Sequence, residues 1–181
     1  ISNFFSKNNK IKPINQNLID NIFRKKINLT KPFFSIKEDI AGESHIKKIR
    51  KISNILKKNK SDYLFVSAPE NVAWLLNIRG FDNPNSPIPN CRLLINKNKK
   101  IFLISELYKA KNILKEKKIS KKQIINPIKL SNFIRNLKNK KIIIDKKTCS
   151  IFFETLLKTK FKILKKDDPI YLLKSIKNKS E

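Results

Sequence analysis

Ala73-Trp74-Leu75-Leu76-Asn77-Ile78-Arg79-Gly80-Phe81-Asp82, continued by Asn83-Pro84-Asn85-Ser86-Pro87-Ile88-Pro89, is the stretch on which the reading of this chain turns. It holds the only tryptophan of the chain, one of its two glycines and three of its eight prolines. Four consecutive apolar residues, Ala73 to Leu76, predict the end of a short buried helix. Gly80 is expected to end it, because glycine takes the left-handed conformation without a Cβ penalty. The three prolines fix φ at their positions and predict a stiff extended loop. Trp74 reads as a core aromatic. Arg79 and Asp82 read either as an internal ion pair or as a clamp, with the helix-end carbonyls, that holds the proline loop.

Working outward, helices and strands alternate. Upstream, Ile46, Ile49, Ile52 and Leu56 recur at helical spacing and predict an amphipathic helix over 43–59. Tyr63-Leu64-Phe65-Val66 is an apolar run of strand length, and Pro69 with Glu70 suits the first turn of the helix that reaches Trp74. Downstream, residues 91–96 and 100–105 flank Lys97-Asn98-Lys99 and predict a hairpin. Ser105 is expected to cap a helix running to Lys117 with Leu107, Ala110 and Leu114 on one face. A brief strand at 123–125 follows, then a helix over 127–137 with Ile128, Phe133, Ile134 and Leu137 apolar. Ile142-Ile143-Ile144 predicts a buried strand. Thr148 is the expected cap of a helix with Phe152, Phe153, Leu156 and Leu157 on its apolar side. A strand at 161–164 and a helix capped by Asp168, with Pro169 behind it, complete the pattern. This order gives an α/β fold, a mixed β-sheet flanked by helices. Residues 1–38 are polar, rich in Asn and Lys, and read as the tail of a preceding domain plus a linker, ordered only where aromatics such as Phe33 and Phe34 dock; residues 39–181 read as the domain.

The 181 residues carry a net charge of +28, which raises the question of a nucleic-acid partner. Arginine, the residue suited to bidentate phosphate contacts, occurs only at Arg24, Arg50, Arg79, Arg92 and Arg135. The lysines are spread over every segment, and Lys, Asn and Ile dominate throughout, as A/T-rich codons would dictate. A generally basic surface is therefore the preferred reading over nucleic-acid binding. No apolar run approaches the roughly 18 residues of a membrane span, so no membrane partner is expected. Cys91 and Cys149 lie far apart in apolar segments and read as free thiols of a reducing, cytoplasmic protein. The chain begins Ile1-Ser2-Asn3 and lacks methionine, so it is expected to be a piece of a longer protein.

Chemistry is sparse. His45 is the only histidine and lacks partners for a catalytic or metal-binding set. Fourteen acidic residues form no metal-like cluster, and Gly42 and Gly80 make no phosphate-cradling loop. The pairs Phe4-Phe5, Phe33-Phe34 and Phe152-Phe153 could stack bases but read better as core or docking residues. No catalytic residue and no metal ligand is assigned, and no cofactor is expected in this chain.

Ala73 through Gly80 with Asp82, and Pro87-Ile88 beyond them, resembles the non-catalytic domain of the Xaa-Pro aminopeptidases (aminopeptidase P) of the creatinase/prolidase superfamily. That domain typically reads Ala-Trp-Leu-(Leu/Phe)-Asn-(Ile/Leu)-Arg-Gly-x-Asp, then a loop ending in Pro-Val. Two further segments agree: Ala41-Gly42-Glu43-Ser44 with Lys47 and Arg50 at the entry, and Asp168-Pro169-Ile170 through Glu181 at the exit. The resemblance covers roughly residues 28–181 and is to the middle domain of a three-domain enzyme. It implies a creatinase N-terminal-like fold, with a separate pita-bread catalytic domain holding two divalent metals, usually manganese, through two Asp, one His and two Glu. None of those ligands falls on this chain. The partners implied are that catalytic domain, a possible homodimer mate and, indirectly, the peptide substrate. Trp74, Asn77, Arg79, Gly80, Asp82 and Pro87 are the candidate structural or substrate-proximal residues. A free-standing basic nucleic-acid-binding module and a catalytically dead scaffold homologue stay open at this point.

Overall fold

The computed structural model describes residues 31–138 and 141–180, together with Lys12, Ile14 and residues 18–22. The reading of residues 1–30 as a tail, and Phe4-Phe5 with it, lies otherwise outside the described residues.

The sheet at the centre is built from the apolar runs. Its strands are β2 (Tyr63–Val66), β4 (Arg92–Asn96), β5 (Ile101–Ile104), β6 (Ile124–Ile125), β7 (Lys141–Ile144) and β8 (Lys162–Lys165), in the order β6-β5-β4-β2-β7-β8. The β4–β5 hairpin and the β2–β4 pair are antiparallel, whereas β5–β6, β2–β7 and β7–β8 are parallel. The hairpin turns on Asn96, whose Oδ1 accepts from the amides of Asn98 and Lys100, with Lys99 at a positive φ of 67°. A separate two-stranded ladder pairs β1 (Phe34–Ser35) with β3 (Ile78–Arg79), placing Phe34 opposite Arg79.

Alternate side chains of the strands leave by opposite faces, so the sheet separates two cores. Leu64, Val66, Leu93, Ile95, Leu103 and Ile143 face one side. There they meet α2 (His45–Lys58) through Ile49, Ile52 and Leu56, and α3 (Pro69–Leu76) through Val72, Leu75 and Leu76. Phe65, Leu94, Phe102, Ile104, Ile142 and Ile144 face the other. They are covered by α5 (Leu130–Arg135), through Leu130 and Ile134, and by α6 (Ile151–Lys158), through Leu157. Each fully buried aliphatic or aromatic side chain contributes about 1.5–3 kcal/mol. Phe33 is fully buried in the first core, so the aromatic of the presumed linker packs with the sheet. The short helices α1 (Glu38–Ala41) and α4 (Lys111–Lys115) and the C-terminal α7 (Pro169–Ser175) complete the described chain. No helix among the described residues is long and apolar enough to cross a membrane.

Several expected elements differ. Ser105 caps no helix: the chain turns through Leu107 and Tyr108, both exposed, and only Lys111–Lys115 is α-helical. The helix expected over 127–137 opens as a 3-10 turn at Pro127–Lys129, leaving Ile128 almost wholly exposed and Leu130 buried in its place. Ser150, not Thr148, stands at the N-cap of α6; the Thr148 hydroxyl pairs instead with that of Ser67 at 2.7 Å. Phe152 on α6 is exposed rather than buried.

Candidate functional site

The candidate residues cluster at the C-terminal end of α3. Asn77, not Gly80, takes the left-handed conformation there (φ 51°, ψ 50°), and its N–H returns to the carbonyls of Ala73 and Trp74. Asparagine is tolerated at this position because its short amide can be satisfied locally. Here Asn77 Oδ1 accepts from Lys48 Nζ at 2.8 Å, and Nδ2 donates to the Glu43 carbonyl at 2.8 Å. Lys48 is only 1% exposed. Its ammonium also donates to the Trp74 carbonyl at 3.1 Å and stands 4.0 Å from the centre of the Trp74 ring. Lys118 Nζ donates to the Asn77 carbonyl at 3.2 Å. Two ammonium groups thus meet the negative end of the α3 dipole. Sequence reading missed Lys48, although it lies four residues before Ile52 and eight before Leu56, on the apolar stripe of α2.

Gly80 is needed for closeness, not for its φ. Its N–H donates to the Pro87 carbonyl at 3.0 Å, and a Cβ placed on it would lie 2.6 Å from the Pro89 Cα. The proline loop therefore folds back onto the backbone of Gly80, with Pro87 supplying the carbonyl that holds it. Arg79 Nη1 donates to the carbonyl of Ile78 at 2.9 Å. Among the described residues no ion pair joins Arg79 to Asp82. Asp82 turns elsewhere: Oδ2 accepts from the Asn90 amide at 2.6 Å and Oδ1 pairs with Lys109 Nζ at 2.6 Å. Phe81 stacks on Phe34 with ring centres 5.1 Å apart.

Asn90 and Lys109 connect this turn to a cleft of about 640 Å³ on the second face of the sheet. Its floor is Ile104, Leu130, Phe153 and Leu156. The Arg92 guanidinium lies over the Phe153 ring at 5.0 Å and donates to Asn90 Oδ1 at 3.3 Å. Exposed Ile128 and Phe152 form the rim.

Two buried carboxylates lie at the ends of β7 and β8. Asp168 caps α7 through the Ile170 amide (2.9 Å) and accepts from Asn71 Nδ2 (2.8 Å). Asn71 in turn accepts from Lys174 Nζ at 2.9 Å. Asp145 accepts from the amides of Lys147 and Asp168 at 2.8 and 3.1 Å. Burial, only partly offset by these hydrogen bonds, pushes the Asp168 carboxyl above its ordinary range. The network fastens α7 to α3 and β7, and its acceptors are engaged by protein groups. Among the described residues no group of three or more His, Cys, Asp and Glu is placed to hold a metal ion, so these residues do not fit a dinuclear centre.

The Creatinase/Prolidase N-terminal domain model matches residues 24–181. The chain is 28% identical over 156 residues to Xaa-Pro aminopeptidase 1 of Dictyostelium discoideum, covering 82% of this chain and 23% of that protein. It is 26% identical over 177 residues to Xaa-Pro aminopeptidase ApepP of Drosophila melanogaster, covering 93% and 28%. The X-prolyl aminopeptidase of Caenorhabditis elegans, described as a cytosolic enzyme with a di-nuclear active site, superimposes with a TM-score of 0.76 at 19% identity over 92% of this chain and 28% of that one. The chain thus spans about a quarter of the length of these relatives.

Proposed function

The chain belongs to the creatinase/prolidase N-terminal domain family, and from that premise we propose that it is the non-catalytic middle domain of a cytoplasmic Xaa-Pro aminopeptidase. Residues 39–181 form that domain in this reading, with Phe33 and β1 docked on it. The two divalent metals, manganese in the usual case, belong to a separate catalytic domain, its direct partner. A second copy is a further candidate partner, and the peptide substrate is met only indirectly.

The observation that carries the reading is the construction around Asp82. The segment resembling the family's Ala-Trp-Leu…Arg-Gly-x-Asp run is tied down by local hydrogen bonds and one ion pair, as a brace would be. Gly80 and Pro87 close the loop, Asp82 ties it to Lys109, and Lys48 ties the helix end below it. A brace of this kind suits holding a surface in a fixed pose for a neighbouring domain, which supports a non-catalytic role. A peptide bond before proline lacks the N–H that ordinary peptidases grip, so positioning by supporting surfaces matters for such a substrate.

The test is release of the N-terminal residue from a Xaa-Pro tripeptide in the presence of manganese, by the product of the whole reading frame and by residues 1–181 alone. Turnover by the former and none by the latter is expected. Proline-specific turnover by residues 1–181 alone would overturn the assignment of a non-catalytic role.

A further inference from the structure

The cleft beside Asp82 joins an apolar floor to a cationic side chain. Its volume of about 640 Å³ lies within the range of small-molecule pockets, roughly 300–1,000 Å³. Phe153, Leu130 and Leu156 give it an apolar floor. Ile128 and Phe152, 92% and 67% exposed, both line its mouth and extend that apolar surface.

The cations in it differ in state. Lys109 is neutralised by Asp82 at 2.6 Å. Arg92 has its guanidinium carbon 5.0 Å from the Phe153 ring centre and meets no carboxylate among the described residues; Asn90 Oδ1 takes one of its five N–H donors. An arginine oriented by a ring and an amide keeps its fork ready for a planar anion at little entropic cost. The acid on the lining, Glu106, is exposed and screened by water. The net charge of +28 adds a long-range field that favours anions.

We propose that this cleft binds an apolar carboxylate, its hydrocarbon body on Phe153, Leu130 and Leu156 and its carboxylate on the Arg92 guanidinium. A small free acid and the C-terminus of an apolar peptide share this chemistry. The inference concerns this chain's own surface and requires that this face stay open beside the neighbouring domains proposed above.

Titration of the ¹⁵N-labelled 181-residue chain with 4-phenylbutyrate tests it, with 4-phenylbutanol, 4-phenylbutylamine and acetate as controls. Saturable shifts confined to the amides around Arg92, Ser105 and Phe153 are expected with phenylbutyrate. Loss of a charge-assisted hydrogen bond makes R92Q bind roughly tenfold more weakly. F152A, a change at an exposed position that leaves folding intact, also weakens binding. N-acetyl-Leu-Phe competing where its C-terminal amide does not would identify a peptide C-terminus as the source; phenylbutyrate binding without such competition would identify a small acid. Equal binding of the alcohol or amine, shifts scattered over the lysines as with acetate, or wild-type affinity in both variants would overturn the proposal.

Discussion

Lys109 Nζ stands 2.6 Å from Asp82 Oδ1, with 12% and 7% of the two side chains exposed. This pair spans the turn after β3 and the segment after β5, and it is the tie between the proline loop and the cleft. Removing one partner of a buried pair leaves the other charge desolvated and uncompensated, at a cost of about 3 kcal/mol or more. D82N should lose that much stability in urea unfolding, and D82N/K109M should recover most of it. A single variant within about 0.5 kcal/mol of wild type would show that the pair is solvated and carries little, as surface pairs do.

Gly80 is expected to resist every side chain alike, because the obstacle is the Pro89 backbone at 2.6 Å from a Cβ. Overpacking of this kind costs about 1–3 kcal/mol. G80N should be at least as destabilised as G80A in thermal denaturation. A left-handed requirement would give the opposite order, with asparagine the better tolerated.

Lys48 holds the end of α3 through the Trp74 carbonyl and Asn77 Oδ1. K48M keeps the stem and removes the donor, leaving two buried acceptors short of a partner. The expected loss is about 2 kcal/mol. Trp74 is the only tryptophan and lies under the Lys48 ammonium, so its emission should change in the folded variant. Unchanged stability and an unchanged spectrum would remove Lys48 from this account.

Stability should also depend on pH through His45. Burial, and then the Lys118 ammonium, hold its pKa below the ordinary 6.5. The unfolded chain therefore takes up the proton first as pH falls. The stability it contributes is present above pH 6.5 and is lost as pH drops towards the folded value. H45Q should flatten that part of the pH–stability curve. Identical slopes in wild type and variant would contradict it.

Much of this architecture is legible in the chain because local signals and burial agree. The strand at Tyr63–Val66, the Pro69 helix start and the Asp168-Pro169 cap each rest on a residue with one good use there. Disagreement arises where two residues compete for a role. Asn77 precedes Gly80 and can itself end α3, so the glycine is released for the contact with Pro89. Apolar residues at helical spacing do not say whether they face a core or a rim, which is why Ile128 and Phe152 read as buried and line a cleft instead. Lys109 is distant in sequence from Asp82, and only the β4–β5 hairpin brings them together. Arg79, the nearer cation, satisfies a local carbonyl.

The most direct test of the central claim is the source transcript read through Glu181 and onward. An open frame continuing into a domain with an Asp, Asp, His, Glu, Glu metal set is the predicted result. A stop codon directly after Glu181 would contradict it, leaving a stand-alone domain with no peptidase to support.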